Sequence, residues 1–143
     1  MARTLAARQN ASGRSTVVFT VTPSLGFPFG LIPENQTILL FQTTQELLTN
    51  VVKHAQSDEA TVSLNQDMGT LWLEVRDNGV GFDPVAVKKN TENFSKFGLF
   101  SIGERMRVLG GTFEVESIPG HGTIARLTLP VNETNVDMTQ YSE

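Results

Sequence analysis

The stretch from Thr70 to Gly81 constrains this chain more than any other. Leu71, Leu73 and Val75 alternate with Trp72, Glu74 and Arg76, the period of two that marks a strand with one buried and one solvated face. The strand runs straight into Asp77-Asn78-Gly79-Val80-Gly81. An acid at the end of an apolar strand, followed by glycines, fits an ordinary turn. It also fits a carboxylate held where the backbone passes closely, ready to accept a hydrogen bond. Either way the apolar side of the strand must be covered, which asks for a sheet with another layer packed on it.

The flanking segments supply that layer. Thr16 to Thr22 (TVVFTVT) is β-branched and aromatic and reads as a strand. Pro33 and Glu34 open a long helix to about His54, with Leu40, Phe41, Leu47, Leu48, Val51 and Val52 on one broad arc. Thr61 to Gln66 is a further strand, joined to Thr70–Asp77 by a turn at Asp67-Met68-Gly69. Asn78 to Phe97 reads as loop with one helical turn after Pro84. In Gly98 to Leu109, apolar Leu99, Ile102, Met106 and Leu109 fall at steps of three and four, and Gly110-Gly111 ends the helix. Thr112 to Ser117 and Thr123 to Leu129 form a last hairpin across Pro119-Gly120-His121-Gly122.

That order holds too few βαβ units for a doubly wound sheet. It predicts an α+β two-layer sandwich, a mixed but mostly antiparallel sheet with helices on one face. The folded unit is expected over 17–131. Residues 1–16 carry Arg3, Arg8 and Arg14 among small and polar residues, with no acid before Glu34. They are set aside as a disordered arm or linker remnant, and 132–143 as a frayed polar tail. The 143 residues suit one domain, and a net charge of −4 argues against a general nucleic-acid binder. With no cysteine there is no disulfide, thiolate metal site or cysteine nucleophile. No apolar run approaches the ~20 residues that cross a bilayer, so a cytoplasmic domain without membrane contact is expected.

Four clusters carry chemistry. On the long helix Glu46, Asn50 and Lys53 share an arc away from the apolar one. A solvated face would look the same, but a carboxylate, a carboxamide and an ammonium in one stripe can also orient an attacking group, hold a hard cation and neutralise phosphate. Asp77 to Gly81 is the second cluster. Phe97-Gly98-Leu99 is the third, opening a helix whose N-terminal N–H groups suit phosphate. Gly120-His121-Gly122-Thr123 is the fourth, otherwise a plain hairpin turn. No GxxxxGK[ST] occurs, so a P-loop enzyme is excluded.

In order and spacing these clusters resemble the boxes of the histidine-kinase-like ATPase superfamily, which also holds type II topoisomerase, Hsp90 and mismatch-repair ATPases. Gln45 to Ala55 (QELLTNVVKHA) resembles the N box, Asp77 to Gly81 the G1 box, Gly98 to Arg105 (GLFSIGER) the G2 box and Gly120 to Thr123 the G3 element. The wording is similar to sensor kinases of the nitrate-sensor type, and the likeness covers Val17 to Pro130. It implies a Bergerat-type ATP-binding fold and the catalytic domain of a two-component sensor histidine kinase. Its substrates would be ATP with Mg²⁺. Its partners would be a histidine-bearing dimerisation domain of the same kinase and a downstream response regulator.

Residue by residue, the resemblance implies that Asn50 coordinates Mg²⁺, Lys53 touches phosphate and His54 lies near it. Glu46 would orient or activate the attacking group. Asp77 would receive the adenine amine beside Thr123. Gly79 and Gly81 would begin the lid, which Gly98 and Leu99 close over the phosphates. Phe100 stands where many relatives have glycine and is expected to narrow the phosphate approach. The lid, Pro84 to Phe97, is short, with Phe94 and Phe97 too close to Gly98 for an F box. Of the two histidines, neither His54 nor His121 has an acceptor's setting, so the phospho-acceptor is expected on another domain. The same boxes also fit an anti-sigma-factor-type switch kinase or a nucleotide-dependent protein-binding module. A degenerate pseudo-ATPase fits less well, given Glu46, Asn50, Lys53 and Asp77.

Overall fold

The computed structural model describes residues 3–8, 16–23, 33–89 and 98–130. Its strands in chain order are β1 (Arg3–Arg8), β2 (Thr16–Pro23), β3 (Glu59–Asp67), β4 (Thr70–Asp77), β5 (Thr112–Ser117) and β6 (Thr123–Pro130). Its helices are α1 (Glu34–Asn50), which continues as a π-turn over Val51–Ala55, then α2 (Pro84–Lys89) and α3 (Leu99–Val108). The strands make one six-stranded sheet in the order β1-β2-β3-β4-β6-β5. Only β2 and β3 run parallel, with α1 in the connection between them; every other pair is antiparallel. This is the mixed, mostly antiparallel sheet expected from the element order.

The period-two pattern decides which face is covered. Register pairs Leu71 with Leu129, Leu73 with Leu127 and Val75 with Ala125, so the buried positions of β4 and β6 stand side by side. Leu40, Leu47 and Val51 of the first helix and Ile102 and Met106 of α3 join them in one core. Cutting a fully buried Leu, Ile or Met such as Leu71, Ile102 or Met106 back to alanine typically costs about 2–5 kcal/mol. The opposite face is open and polar. There Arg126 donates to Glu74 at 3.0 and 3.2 Å, and Arg76 donates to Glu74 at 3.1 Å. The Arg76 guanidinium is exposed, and an ion pair open to solvent on one side contributes little stability.

Backbone geometry explains where the elements stop. Met68 and Gly69 both have positive φ (47° and 76°), the two-residue turn whose twist matches a tight β3–β4 hairpin. At the end of α3, Gly111 donates to Met106 O at 2.8 Å and Gly110 donates to Arg107 O at 3.0 Å. These paired bonds satisfy carbonyls that a helix end leaves open, and Gly110 (φ 74°) makes them possible.

Two expectations need correcting. Arg3–Arg8, set aside with the disordered arm, is a strand whose backbone pairs antiparallel with β2. Its sequence shows neither alternation nor β-branched enrichment, so the pairing comes from the open edge that β2 would otherwise present. Phe41, placed on the apolar arc of α1, is 64% exposed. The buried face is narrower than that arc and is set by Leu40, Thr43 and Leu47. The expected lid residues Phe94 and Phe97, and the tail 132–143, lie outside the described residues.

Candidate nucleotide-binding site

Asp77 continues the buried side of β4 by one more step, so the alternation that builds the core also drives a carboxylate inward. It is 9% exposed. Its Oδ1 accepts the Gly79 N–H at 2.9 Å, and the Thr123 backbone, its register partner on β6, donates to it as well. Burial pushes the Asp77 carboxyl above its ordinary value, and the two backbone donors pull against that shift without reversing it. Ionised, such a group accepts strongly from an amine.

Asp77 opens onto a cleft of about 630 Å³ counted out to its mouth. Leu47, Val51, Val75, Val115 and Ala125 give it an apolar floor. Asn50, His54, Gly81, Leu99 and Thr123 also line it. Six of the residues singled out in the sequence are thus brought together: Asn50, His54, Asp77, Gly81, Leu99 and Thr123. A largely apolar cleft with a buried acceptor in its lining has the chemistry to take a heteroaromatic base carrying an amine.

The walls of the cleft are tied together through backbone. Val80 N–H donates to Ala55 O at 2.7 Å, and Gly120 N–H donates to Val80 O at 2.6 Å. The turn after β4 is therefore fastened both to the π-turn that ends the first helix and to the β5–β6 connection. This close approach needs Gly79, where a Cβ would stand 2.0 Å from Ala55 O. It needs Gly81 too, where φ is +62° and a Cβ would stand 2.2 Å from Ile118 O. Both glycines hold the turn in place as well as starting the segment after it. Ser117 completes the knot: Phe82 N–H donates to its Oγ at 2.8 Å, and Gly122 O accepts from it at 3.0 Å. Its hydroxyl lies 2.8 Å from that of Thr123. No sequence signal marks Ser117, a serine at a strand end; Ala55 falls in the N-box stretch, but its part here is played by its backbone carbonyl.

The polar stripe of the first helix is split by the fold. Asn50 lines the cleft, whereas Lys53 is exposed outside the lining and Glu46 turns toward α3, where its Oε2 pairs with Arg105 Nη2. Gly98 caps α3 in the left-handed conformation (φ 68°) without lining the cleft. Phe100, expected to narrow the phosphate approach, is 59% exposed in the first turn of α3. It lines a second cleft with Pro84, Val85 and Phe113, and Leu99 lines both clefts. His121 is exposed in the β5–β6 turn, its N–H donating to Ile118 O at 2.9 Å.

The buried acid, the glycine-locked turn and the first helix thus meet around one cleft. The family model of histidine kinase-, DNA gyrase B- and HSP90-like ATPases matches residues 35–133. The chain belongs to that family. ATP is accordingly the nucleotide of this histidine kinase-like ATPase domain. It is similar to an uncharacterized sensor-like histidine kinase of Chloroflexus aurantiacus, 43% identical over 94 residues that cover 64% of this chain and 16% of that protein. It is also similar to the signal transduction histidine-protein kinase/phosphatase DegS of Bacillus subtilis, 35% identical over 96 residues, or 66% of this chain and 24% of that one. The chain therefore spans a quarter or less of these relatives. In fold it matches the blue-light activated histidine kinase of Erythrobacter litoralis with a TM-score of 0.63 at 23% identity, over 79% of this chain and 35% of that one.

Proposed function

We propose that this domain presents Mg²⁺-ATP for phosphoryl transfer to a histidine on a separate helical dimerisation domain, within a sensor histidine kinase that serves a response regulator. The observation that carries the proposal is the buried Asp77 carboxylate in a cleft whose lining also includes Asn50. Asp77 accepts the adenine amine, with Thr123 beside it, while the apolar floor covers the faces of the base. His54 stands near the phosphates, and Lys53 reaches them on its long flexible stem from outside the lining. Leu99 and the capped N-terminus at Gly98 close the phosphate end.

Among the described residues no three His, Cys, Asp or Glu gather as a metal cage. Mg²⁺ is commonly held by one or two protein oxygens together with substrate phosphates, and the Asn50 carboxamide in the lining fits that role. When bound, the ion neutralises phosphate charge. In the transfer an imidazole nitrogen of the partner forms a bond to the γ-phosphorus as the bond from that phosphorus to the ADP oxygen breaks. Glu46 orients the attacking imidazole and takes up its proton. Positioning and charge neutralisation account for most of the catalysis of such a step.

No helix among the described residues is long and apolar enough to cross a membrane; separately, use of ATP supports a cytoplasmic setting for the domain. The direct test of the pocket is a calorimetric titration of ATP against GTP. Guanine offers a carbonyl oxygen where adenine offers its amine, and losing a hydrogen bond to a charged group costs about 1.5–3 kcal/mol. ATP should bind roughly tenfold or more tightly; equal affinities would contradict the assignment of Asp77.

A further inference from the structure

Arg105 stands 59 residues from Glu46 in sequence, yet its Nη2 pairs with Glu46 Oε2. Its Nε also donates to Ser101 O at 3.3 Å, one turn back on α3. The guanidinium is thus held at two points, by its own helix and by the first helix, and only a planar fork with several N–H groups can do both. Arg105 is the more enclosed partner, its side chain 25% exposed against 45% for Glu46. Among the described residues the ion pair engages Oε2, which leaves Oε1 of Glu46 able to accept from another donor.

The two helices joined in this way both reach the nucleotide cleft. Glu46 lies one turn before Asn50, and Arg105 shares α3 with Leu99; Asn50 and Leu99 both line the cleft. A carboxylate on an exposed helical face would otherwise sample several rotamers, and a reacting group displaced by about 1 Å can lose a hundredfold in rate.

We infer that Arg105 is a positioning residue for phosphoryl transfer: it holds Glu46 by one oxygen, so that the other is aimed at the attacking imidazole while α3 sits over the phosphates. The inference rests on the role proposed above for Glu46. Because Arg105 acts through Glu46, the two should behave as one unit, and their substitutions should not add.

The experiment is a double-mutant cycle on this chain with Arg105→Met, Glu46→Gln and the pair combined. Transfer from ATP to a supplied histidine-bearing dimerisation domain gives kcat and KM, and nucleotide Kd is measured separately. Arg105→Met should lower kcat by tenfold to about a hundredfold, with the nucleotide Kd and the thermal midpoint little changed. Arg105→Lys, which keeps the charge but loses the fork, should recover only part of that loss. In the Glu46→Gln background, adding Arg105→Met should change kcat by less than about twofold. Multiplying losses, or an Arg105→Met defect confined to Kd and stability, would overturn the positioning role. A Glu46→Gln variant that transfers at the parent rate would instead sink the role of Glu46 itself, and the inference with it.

Discussion

Val80 donates its backbone N–H to the carbonyl of Ala55 at 2.7 Å, and through that one bond the turn after β4 is fastened to the end of the first helix. Asn50 and His54 lie on one side of the bond and Asp77 on the other. The cleft keeps its width because two backbones touch there with no side chain between them.

Replacing Gly79 by alanine should therefore damage both fold and site. The new Cβ would press on Ala55 O at 2.0 Å, a backbone atom that cannot swing aside. Overpacking of this kind costs about 1–3 kcal/mol, and nucleotide binding should weaken as the walls part. Gly98→Ala is the comparison for stability, since among the described residues nothing lies within 4 Å of its Cβ and the left-handed backbone (φ +68°) is what is penalised, by about 1–2 kcal/mol. Denaturant midpoints of the two variants, measured beside nucleotide titrations, check the contrast.

Acid should weaken nucleotide binding through Asp77. Burial raises its carboxyl above the ordinary value, so the folded domain takes up this proton at higher pH than the unfolded chain does. The stability that results is full below the unfolded value and is lost as pH rises through the folded one. Nucleotide works in the opposite direction, because the adenine amine needs the ionised acceptor. Affinity should fall by up to about tenfold per pH unit below the folded value. In Asp77→Asn that component should vanish, leaving only the titration of the phosphates. Identical pH profiles for the parent and Asp77→Asn would remove Asp77 from the site.

Asn50 should govern the gain that Mg²⁺ brings. Asn50 is half-buried at the junction of α1 and the π-turn, so its replacement should leave the thermal midpoint nearly unchanged. Asn50→Leu should lose roughly tenfold or more of the affinity measured in Mg²⁺, while binding in a chelator stays close to that of the parent. Asn50→Asp should keep binding with an altered Mg²⁺ dependence. Titrations with and without the ion separate these outcomes.

Much of the fold was legible because alternation in Leu71, Leu73 and Val75, and steps of three and four in Leu99, Ile102 and Met106, are direct imprints of burial. The site was legible in part for the same reason, since Asp77 simply extends the buried side of β4. What could not be read is what depends on partners distant in sequence. Arg3–Arg8 pairs through backbone alone, which leaves no pattern in RTLAAR. Glu46, Asn50 and Lys53 share a stripe on an ideal wheel, but the cleft takes the flank toward Leu47 and His54, and Arg105 claims Glu46. Past Asn50 the α-helix gives way to a π-turn, where the angular spacing assumed for an α-helix no longer holds.

The central claim is that this domain holds ATP for a histidine that lies on another domain, and one labelling experiment tests it most directly. The domain is incubated with γ-labelled ATP, alone and with a histidine-bearing dimerisation domain. The account predicts no label on this chain by itself, since neither His54, in the π-turn that lines the cleft, nor His121, exposed in the β5–β6 turn, stands on a separate helical acceptor domain. It predicts acid-labile label on the supplied domain. Acid-labile label accumulating on this chain alone, or acid-stable label on a serine of a partner protein with none on the supplied histidine, would contradict it.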